Sequence, residues 1–164
     1  MASEIQVERA RLADSKAIAQ FVSHAHGQDV VQRLDVAQRF SQVSFMLAVS
    51  DDDIVGLLGW QVENLVVRMT DFLIAPGVDL FAVGNVLIAE VEEAGRELQA
   101  EAAMLFLPPD PSEGLCSYWE HFGYEHRAVT DIPRAWREAA AEWDKSASEV
   151  MVKQLREELV RRPI

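Results

Sequence analysis

The stretch Ile74-Ala75-Pro76-Gly77-Val78-Asp79-Leu80-Phe81-Ala82-Val83-Gly84 joins a predicted strand to the clearest predicted helix of this sequence. The apolar run that precedes it stops at Pro76-Gly77, a pair that ends strands. The apolar stripe of the following helix, predicted over residues 80–99, consists of Val83, Val86, Leu87, Val91, Ala94 and Leu98. Its polar side consists of Glu90, Glu92, Glu93, Arg96 and Glu97. This spacing predicts a strand, a tight turn and a long amphipathic helix.

Strands and helices follow one another on both sides of this boundary. The upstream patterns predict a strand over 5–9, a helix over 17–25 with Asp14-Ser15 as N-cap, a helix over 30–40, a hairpin of strands 44–49 and 54–60, and a strand over 65–74. The downstream patterns predict a strand over 102–107, a helix over 112–122, a strand over 124–130, a helix over 133–143 and a strand over 149–155. The tail after Arg156 is predicted to be a peripheral helix or a frayed end. No repeat or long linker divides the chain, so we expect one α/β domain over residues 1–164.

Composition excludes several classes of protein. The 164 residues are 49% apolar and 26% charged, with one cysteine, which is typical neither of a disordered chain nor of a disulfide-stapled one. Fifteen Lys and Arg against 27 Asp and Glu give a formal charge of −12, which opposes a nucleic-acid backbone. That charge either concentrates cationic substrates such as amines or serves solubility alone. The most membrane-like stretch, residues 72–89, contains Asp79 and is broken by Pro76-Gly77, so no membrane span is expected.

A cytoplasmic location is expected. Cys116 has no second cysteine with which to form a bridge, and Met1-Ala2-Ser3-Glu4 lacks the basic and apolar regions of a signal peptide. His24, His26, His121 and His126 have no Cys or carboxylate at a metal-ligand spacing, so no metal is expected either.

Residues 74–88 resemble the acyl-CoA signature of the GNAT superfamily of N-acetyltransferases. In that family a strand ends in a Val-x-Pro-like turn, after which Arg or Gln, two residues, Gly, one residue, and Gly or Ala open a long helix. Ile74, Pro76 and Gly84 match these positions, whereas Asp79 replaces the Arg or Gln and Ala82 replaces the first Gly. A helix start with unpaired N–H groups suits a pyrophosphate. Asp79 weakens that binding through its like charge, and less so if its side chain points outward.

A second stretch, Ser117-Tyr118-Trp119-Glu120-His121-Phe122-Gly123-Tyr124, resembles the late signature of the same superfamily, aromatic-Tyr-Glu-x-x-Gly-Phe. Ser112 aligns with an Asn that contacts the cofactor in family members, and residues 149–155 resemble the last strand. The resemblance implies a GNAT-like α/β (α+β) fold, in which a central mixed, mostly antiparallel sheet is flanked by helices. It implies acetyl-CoA, or another acyl-CoA, as cosubstrate. The implied cofactor-binding residues are Leu73, Ile74, Ala75, Leu80, Phe81, Ala82, Val83, Gly84, Asn85, Ser112 and Trp119.

The implied reaction is the attack of an amine on an acyl thioester, which needs a base for the amine and an acid for the leaving thiolate. Tyr118 is a candidate acid, with packing as the alternative, because Trp119 stands where family members have the acidic Tyr. Glu63 and Asp71 are candidate bases. The alternatives are a solvated strand-end carboxylate for Glu63 and a turn residue for Asp71.

The partners implied are a small-molecule amine or a protein amino group, with neither nucleic acid nor membrane, and a homodimer as a candidate assembly. A different class of function stays open. Because Asp79, Ala82 and Trp119 depart from the signatures, the same fold would also suit a non-catalytic ligand-sensing or protein-interaction module.

Overall fold

The computed structural model describes residues 4–25 and 33–156, without side chains for residues 33–35. The chain divides into two compact units, one built from residues up to Gln61 and from Thr70–Val91, the other from Val62–Met69 and from Glu92 onward. His26, the first residues of the predicted helix over 30–40 and the tail after Arg156 lie outside the described residues. The expectation of one domain stays a prediction.

Seven strands within residues 4–25 and 33–156 form one sheet. They are β1 (Gln6–Arg9), β2 (Ser44–Ser50), β3 (Asp53–Glu63), β4 (Val66–Ile74), β5 (Ala102–Phe106), β6 (Glu125–Ala128) and β7 (Glu149–Gln154). Their order across the sheet is β1-β2-β3-β4-β5-β7-β6. β4 and β5 are parallel, whereas β1 with β2, β2 with β3, β5 with β7 and β6 with β7 are antiparallel. The predicted mixed, mostly antiparallel sheet is therefore confirmed.

Five helices in the described part of the chain flank the strands. They are α1 (Ser15–Ala25), α2 (Arg33–Arg39), α3 (Leu80–Glu97), α4 (Glu113–His121) and α5 (Arg134–Trp143). A 3-10 turn, Val129–Asp131, shortens the strand that was predicted over 124–130. In the described ranges none of the helices has the length and apolar character that crossing a bilayer requires.

The N-terminal cap of α1 differs from the prediction. A 3-10 turn, Leu12–Asp14, precedes the helix. The Asp14 carboxylate accepts a hydrogen bond from the Arg11 N–H at 2.7 Å, and the Ser15 hydroxyl donates to the Leu12 carbonyl at 2.6 Å. Both side chains stabilise that turn, because short polar side chains bond readily to nearby backbone.

In the first unit, alternation along β2 and β3 sends neighbouring side chains to opposite faces. The core on the face covered by α1 and α2 consists of Ile18, Ala19, Val36, Val43, Phe45, Leu47 and Leu57. On the other face, a Cβ built on Gly56 would stand 2.6 Å from Val83 Cγ1 and 2.9 Å from Leu87 Cδ1. The absent side chain of Gly56 lets α3 lie close to β3, which fixes the position of the helix start.

In the second unit, α5 packs on β4, β5 and β7. The core there consists of Val66, Ala102, Met104, Ile132, Trp136, Ala139, Ala140, Val150 and Val152. The Trp136 indole N–H donates to Glu101 Oε2 at 3.0 Å, so the polar edge of this buried ring is satisfied.

Two residues of the helix predicted over 80–99 contradict the predicted stripe. Glu92, assigned to the polar side, is only 5% exposed, whereas Leu98, assigned to the apolar stripe, is 55% exposed. Leu98 follows the last helical residue, Glu97, so it leaves the helical face. Glu92 is four residues after the buried Ile88, which places both on the same face.

Candidate functional site

The chain passes from β4 into α3 through a tight turn in the first unit. The Ala75 N–H donates to the Val55 carbonyl at 2.9 Å, which holds the strand end against β3. Gly77 has a φ of +84°, and apart from its own and its neighbours' atoms no heavy atom of the described residues lies within 4 Å of where its Cβ would stand. Glycine is therefore favoured here by the backbone conformation rather than by close packing.

Asp79 caps the start of α3. Its Oδ1 accepts a hydrogen bond from the Phe81 N–H at 3.0 Å and another from the Ala82 N–H at 3.2 Å. Its carbonyl accepts from the Val83 N–H at 3.1 Å. The first N–H groups of a helix have no intrahelical partner, and Asp79 satisfies two of them with one oxygen. Its carboxylate thus turns onto the helix start, the arrangement in which its charge opposes an anion there.

The side chains at this helix start face solvent. Leu80 and Phe81 are 52% and 46% exposed, which is unusual for large apolar residues, and Ala82 and Asn85 are also exposed. The predicted cofactor residues that are half-buried or buried in the same segment are Leu73, Ile74, Ala75, Val83 and Gly84. All these predicted residues lie in one strand–turn–helix segment of the first unit.

Asp71, a candidate base, lies within β4 and is held by α2. Its Oδ2 accepts from Arg39 Nε at 3.1 Å and from Arg39 Nη2 at 2.9 Å, with both side chains about one-third exposed. A Cβ on Gly59 would stand 2.5 Å from Thr70 Oγ1 and 2.9 Å from Asp71 Oδ2. Gly59 therefore makes room for this side chain, and Asp71 is a strand residue rather than the turn residue of the alternative.

A cavity of about 580 Å³ lies in the same unit, beside Ala75 and Pro76. The end of α1 and the turn between β2 and β3 line the rest of it, and the polar residues among them are Gln20, His24, Asp52 and Asp53. Among the described residues that line it, none is Lys or Arg. Its polar lining therefore combines two carboxylates with one amide and one imidazole.

The other predicted site residues belong to the second unit. Glu63 is the exposed last residue of β3. Ser112 is exposed and caps α4, where its Oγ accepts from the Leu115 N–H at 3.1 Å. The Ser112 hydroxyl oxygen therefore satisfies a backbone N–H of the first turn of α4, as in other N-caps.

Tyr118 and Trp119 stand next to each other on α4 but face different surroundings. Tyr118 is half-buried, with its ring edge-on to Phe122 at 5.1 Å between centroids. Trp119 is 2% exposed and packs edge-on against Tyr124 at 5.2 Å. Because successive helical residues are rotated by about 100°, only Tyr118 keeps part of its ring at the surface.

A buried polar cluster of Glu92, Tyr124 and Lys153 was not predicted. The Tyr124 hydroxyl donates to Glu92 Oε2 at 2.8 Å, and Lys153 Nζ lies 3.1 Å from the same oxygen. Burial, reinforced by the Glu92 carboxylate, raises the pKa of Tyr124 well above its usual value. The signal available in the sequence was the helical position of Glu92, four residues after the apolar Ile88.

Comparison with known proteins finds no match by sequence but clear matches by structure. No family model matches the sequence, and no curated protein matches it. A GNAT-family acetyltransferase from Staphylococcus aureus Mu50, in contrast, matches the structure with a TM-score of 0.69, over 93% of this chain and 100% of that chain, at 14% identity. The chain has the GNAT fold.

Two further proteins of the GNAT fold were solved with coenzyme A. N-acetylglutamate synthase from Neisseria gonorrhoeae, in complex with coenzyme A and N-acetyl-glutamate, matches with a TM-score of 0.67 at 14% identity. That match covers 95% of this chain and 36% of the synthase chain. An N-acetyltransferase from Thermoplasma acidophilum, in complex with coenzyme A, matches with a TM-score of 0.64 at 11% identity, over 92% of this chain and 99% of that chain. The predicted GNAT fold is confirmed.

Proposed function

We propose that this chain is an acyl-CoA-dependent N-acyltransferase that moves an acetyl group from acetyl-CoA to an amine of a small molecule or protein. The observation that carries the proposal is the exposed start of α3, directly after β4 and its turn, in a chain of GNAT fold. Proteins of the same fold have been solved with coenzyme A bound.

The donor set at this helix start fits a pyrophosphate under one condition. Backbone N–H groups at the start of a helix, with the positive end of its dipole, suit phosphate oxygens. The N–H groups of Phe81 and Ala82 now donate to Asp79, whose side chain is exposed. Rotation of that side chain into solvent frees both donors without moving the helix.

The chain's own residues then have two proton-transfer tasks. Acetyl-CoA supplies an activated thioester; the amine nitrogen forms the new N–C bond as the C–S bond breaks. A base takes the proton that the amine loses, and an acid protonates the departing thiolate. We assign the base to Asp71, with Glu63 as the second candidate, because both Arg39 bonds go to Asp71 Oδ2 and among the described residues Oδ1 accepts no hydrogen bond. Tyr118 is the candidate acid, since its ring is not fully buried.

The acceptor we propose is an amine that is protonated, and therefore cationic, when it enters the site. The 580 Å³ cavity beside Ala75 and Pro76 is lined by Asp52 and Asp53 and by no described Lys or Arg. Opposite charge would concentrate an ammonium there before it loses its proton.

One set of observations favours a second candidate function. Asp79 occupies the N–H groups that a pyrophosphate would use, and Trp119 is buried at the position of the family's acidic Tyr. A non-catalytic ligand-sensing or protein-interaction module of the GNAT fold would need neither free N–H groups at this helix start nor an acidic Tyr at position 119.

A thermal-shift titration with acetyl-CoA, coenzyme A and desulfo-coenzyme A tests the proposal, because a ligand that binds only the folded state raises its melting temperature. We expect a saturable shift with all three, followed by amine-dependent loss of the thioester absorbance. Thioester absorbance is preferable to a thiol dye, since Cys116 is a half-exposed free thiol. If no melting-temperature shift appears at millimolar ligand, the proposed enzymatic function is contradicted and the non-catalytic module is favoured.

A further inference from the structure

The 580 Å³ cavity of the first unit has an apolar wall as well as polar side chains. The α1 residues that line it are Ala17, Gln20, Phe21, His24 and Ala25. Because residues three and four positions apart share one side of a helix, a single face of α1 borders the cavity. The strand-end residues that complete the apolar part are Ile54, Val55 and Ala75.

Phe21 and Ile54 lie at the edge of the first unit's core rather than within it. Both pack against the buried core on the face covered by α1 and α2, yet both remain partly exposed. The polar residues that line the cavity, in contrast, are all exposed: Gln20, His24, Asp52 and Asp53. The cavity therefore offers half-buried apolar surface beside an exposed polar part that carries two carboxylates.

These two parts favour different groups of one ligand. Asp52 and Asp53 attract a cation, and the described lining includes neither Lys nor Arg. A ligand with charged groups alone would leave the apolar wall in contact with water, whereas an apolar anion would meet two like charges. A ligand that matches both parts carries an ammonium group and an apolar group.

We propose that the acceptor is an amphipathic amine, whose ammonium group lies near Asp52 and Asp53 and whose aryl or alkyl group packs on Phe21 and Ile54. This acceptor class rests on the proposed function, because it names the amine of that acetyl transfer. The ammonium first loses one proton. The neutral nitrogen then forms the N–C bond as the C–S bond breaks, its second proton passes to the base, and the thiolate takes up one proton.

Three probes separate the two parts of the cavity. Phenethylamine carries an ammonium and an aryl group, putrescine carries ammonium groups only, and hydrocinnamate carries the aryl group with the opposite charge. At a physiological ionic strength of about 0.15 M, where exposed charges are partly screened, we expect phenethylamine to bind about tenfold more tightly than either of the others. The reason is that burial of its apolar area adds to the attraction between opposite charges.

Two variants should change these affinities in different ways. Phe21→Ala removes part of the apolar wall, so phenethylamine should bind about tenfold more weakly, whereas the affinity for putrescine should stay within about twofold of wild type. Asp52→Asn/Asp53→Asn removes the two charges, so both amines should bind more weakly and hydrocinnamate more tightly.

Phe40→Ala is the matched control. Phe40 packs at the edge of the same core, with its ring 5.2 Å from that of Phe45 between centroids, but it is not among the residues that line the cavity. It should therefore leave the affinities for all three probes within about twofold of wild type, although it also removes a phenyl ring from the core edge.

Isothermal titration calorimetry of wild type and these three variants measures the affinities, with circular dichroism to check folding. Acetylation of phenethylamine and putrescine by wild type with acetyl-CoA is measured beside it. If Phe21→Ala does not fold, Phe21→Leu removes the ring but keeps an apolar side chain, and phenethylamine should then bind about threefold more weakly.

Tighter binding and preferential acetylation of phenethylamine, with the expected losses in the Phe21 and Asp52/Asp53 variants, support the amphipathic acceptor. Equal binding of the three probes, or phenethylamine binding that the folded Phe21 variant leaves unchanged, overturns it. Preferential acetylation of putrescine also overturns it and leaves the proposed function standing. Acetylation of neither amine overturns it too; the proposed function then stands if acetyl-CoA still raises the melting temperature and fails with it if acetyl-CoA does not.

Discussion

The Tyr124 hydroxyl donates a 2.8 Å hydrogen bond to the Glu92 carboxylate inside the second unit, so the second signature of this sequence ends on a buried polar contact with α3. Lys153 of β7 completes the contact, 3.1 Å from Glu92 Oε2, and also donates to the Phe122 carbonyl at 3.1 Å. The three side chains link the second half of α3 to β7 and to the residue before β6.

Alkaline pH should reveal this contact. The folded protein keeps Tyr124 protonated at a pH where the unfolded chain ionises it, because burial and Glu92 raise its pKa. The stabilisation is complete below the unfolded pKa of about 10 and is lost above it, at about 1.4 kcal/mol per pH unit. Urea unfolding of wild type and Tyr124→Phe from pH 7 to 11 measures it. The free energy of unfolding should fall less steeply for Tyr124→Phe above pH 10.

The sequence contains only one other tyrosine, Tyr118, so Tyr118→Phe is a matched control. That variant should keep the steep wild-type decline above pH 10. Parallel declines for wild type and Tyr124→Phe would contradict the assignment.

Removal of the Lys153 cation should leave an uncompensated charge on the buried Glu92 carboxylate. Lys153→Met leaves Glu92, 5% exposed, without its ion pair, and we expect a loss of about 3 kcal/mol in the free energy of unfolding, low in the range for buried pairs because Lys153 is partly exposed. The double variant Glu92→Gln/Lys153→Met should lose less than the sum of its single variants. Chemical denaturation of all four proteins measures this coupling, and strict additivity would show that the pair contributes nothing.

Close packing of α3 on β3 should depend on Gly56. Its Cβ would stand 2.6 Å from Val83 Cγ1, so Gly56→Ala pushes the helix away, at a cost of about 1–3 kcal/mol in the free energy of unfolding. Gly56→Ala/Val83→Ala should recover part of that loss. Gly114→Ala is the control, since nothing lies within 4 Å of its Cβ, and it should be neutral or slightly stabilising. Equal effects at Gly56 and Gly114 would contradict the close approach.

Variants of Asp71 and Arg39 should affect catalysis differently while changing stability little. Because both side chains are about one-third exposed, breaking their ion pair should change the free energy of unfolding by less than about 1 kcal/mol. If Asp71 is the base, as we propose, Asp71→Asn lowers kcat about 100-fold or more. Arg39→Gln breaks the same pair but leaves the carboxylate, so its kcat should fall far less. An equal loss in both variants would assign a positioning role to the pair.

The carboxylates of the 580 Å³ cavity should affect KM for the acceptor amine and not KM for acetyl-CoA. Asp52→Asn/Asp53→Asn removes two negative charges from its lining and should raise KM for a cationic amine several-fold at low salt, with a smaller effect at high salt. KM for acetyl-CoA should not rise. Glu125→Gln/Asp131→Asn removes two charges from a different cavity, in the second unit, and is the matched control. An unchanged amine KM in the first variant would exclude this cavity as the acceptor site.

The sequence by itself determined the order and type of the elements. Turn residues and apolar spacing are local signals. The predicted hairpin accordingly turns at Asp51 and Asp52, both with positive φ, and the long helix begins at Leu80 as predicted. The first signature predicts that the main cofactor segment lies at the start of that helix. Local chemistry was sufficient because strand ends, turns and helix starts are specified by neighbours in the sequence.

Only the tertiary structure decided what the polar side chains do. Periodicity assigned Glu92 to solvent, but Tyr124 and Lys153, 32 and 61 residues away, make it a buried partner. The sequence identified Asp79 as an unusual residue at the signature, yet only the geometry shows its carboxylate turned onto the N–H groups of Phe81 and Ala82. The reason is physical: a buried carboxylate needs hydrogen-bond partners, and those of Glu92 are distant in the sequence and are brought close only by folding. The partners of Asp79 are its neighbours in the sequence, but their N–H groups point toward its carboxylate only once the helix has formed.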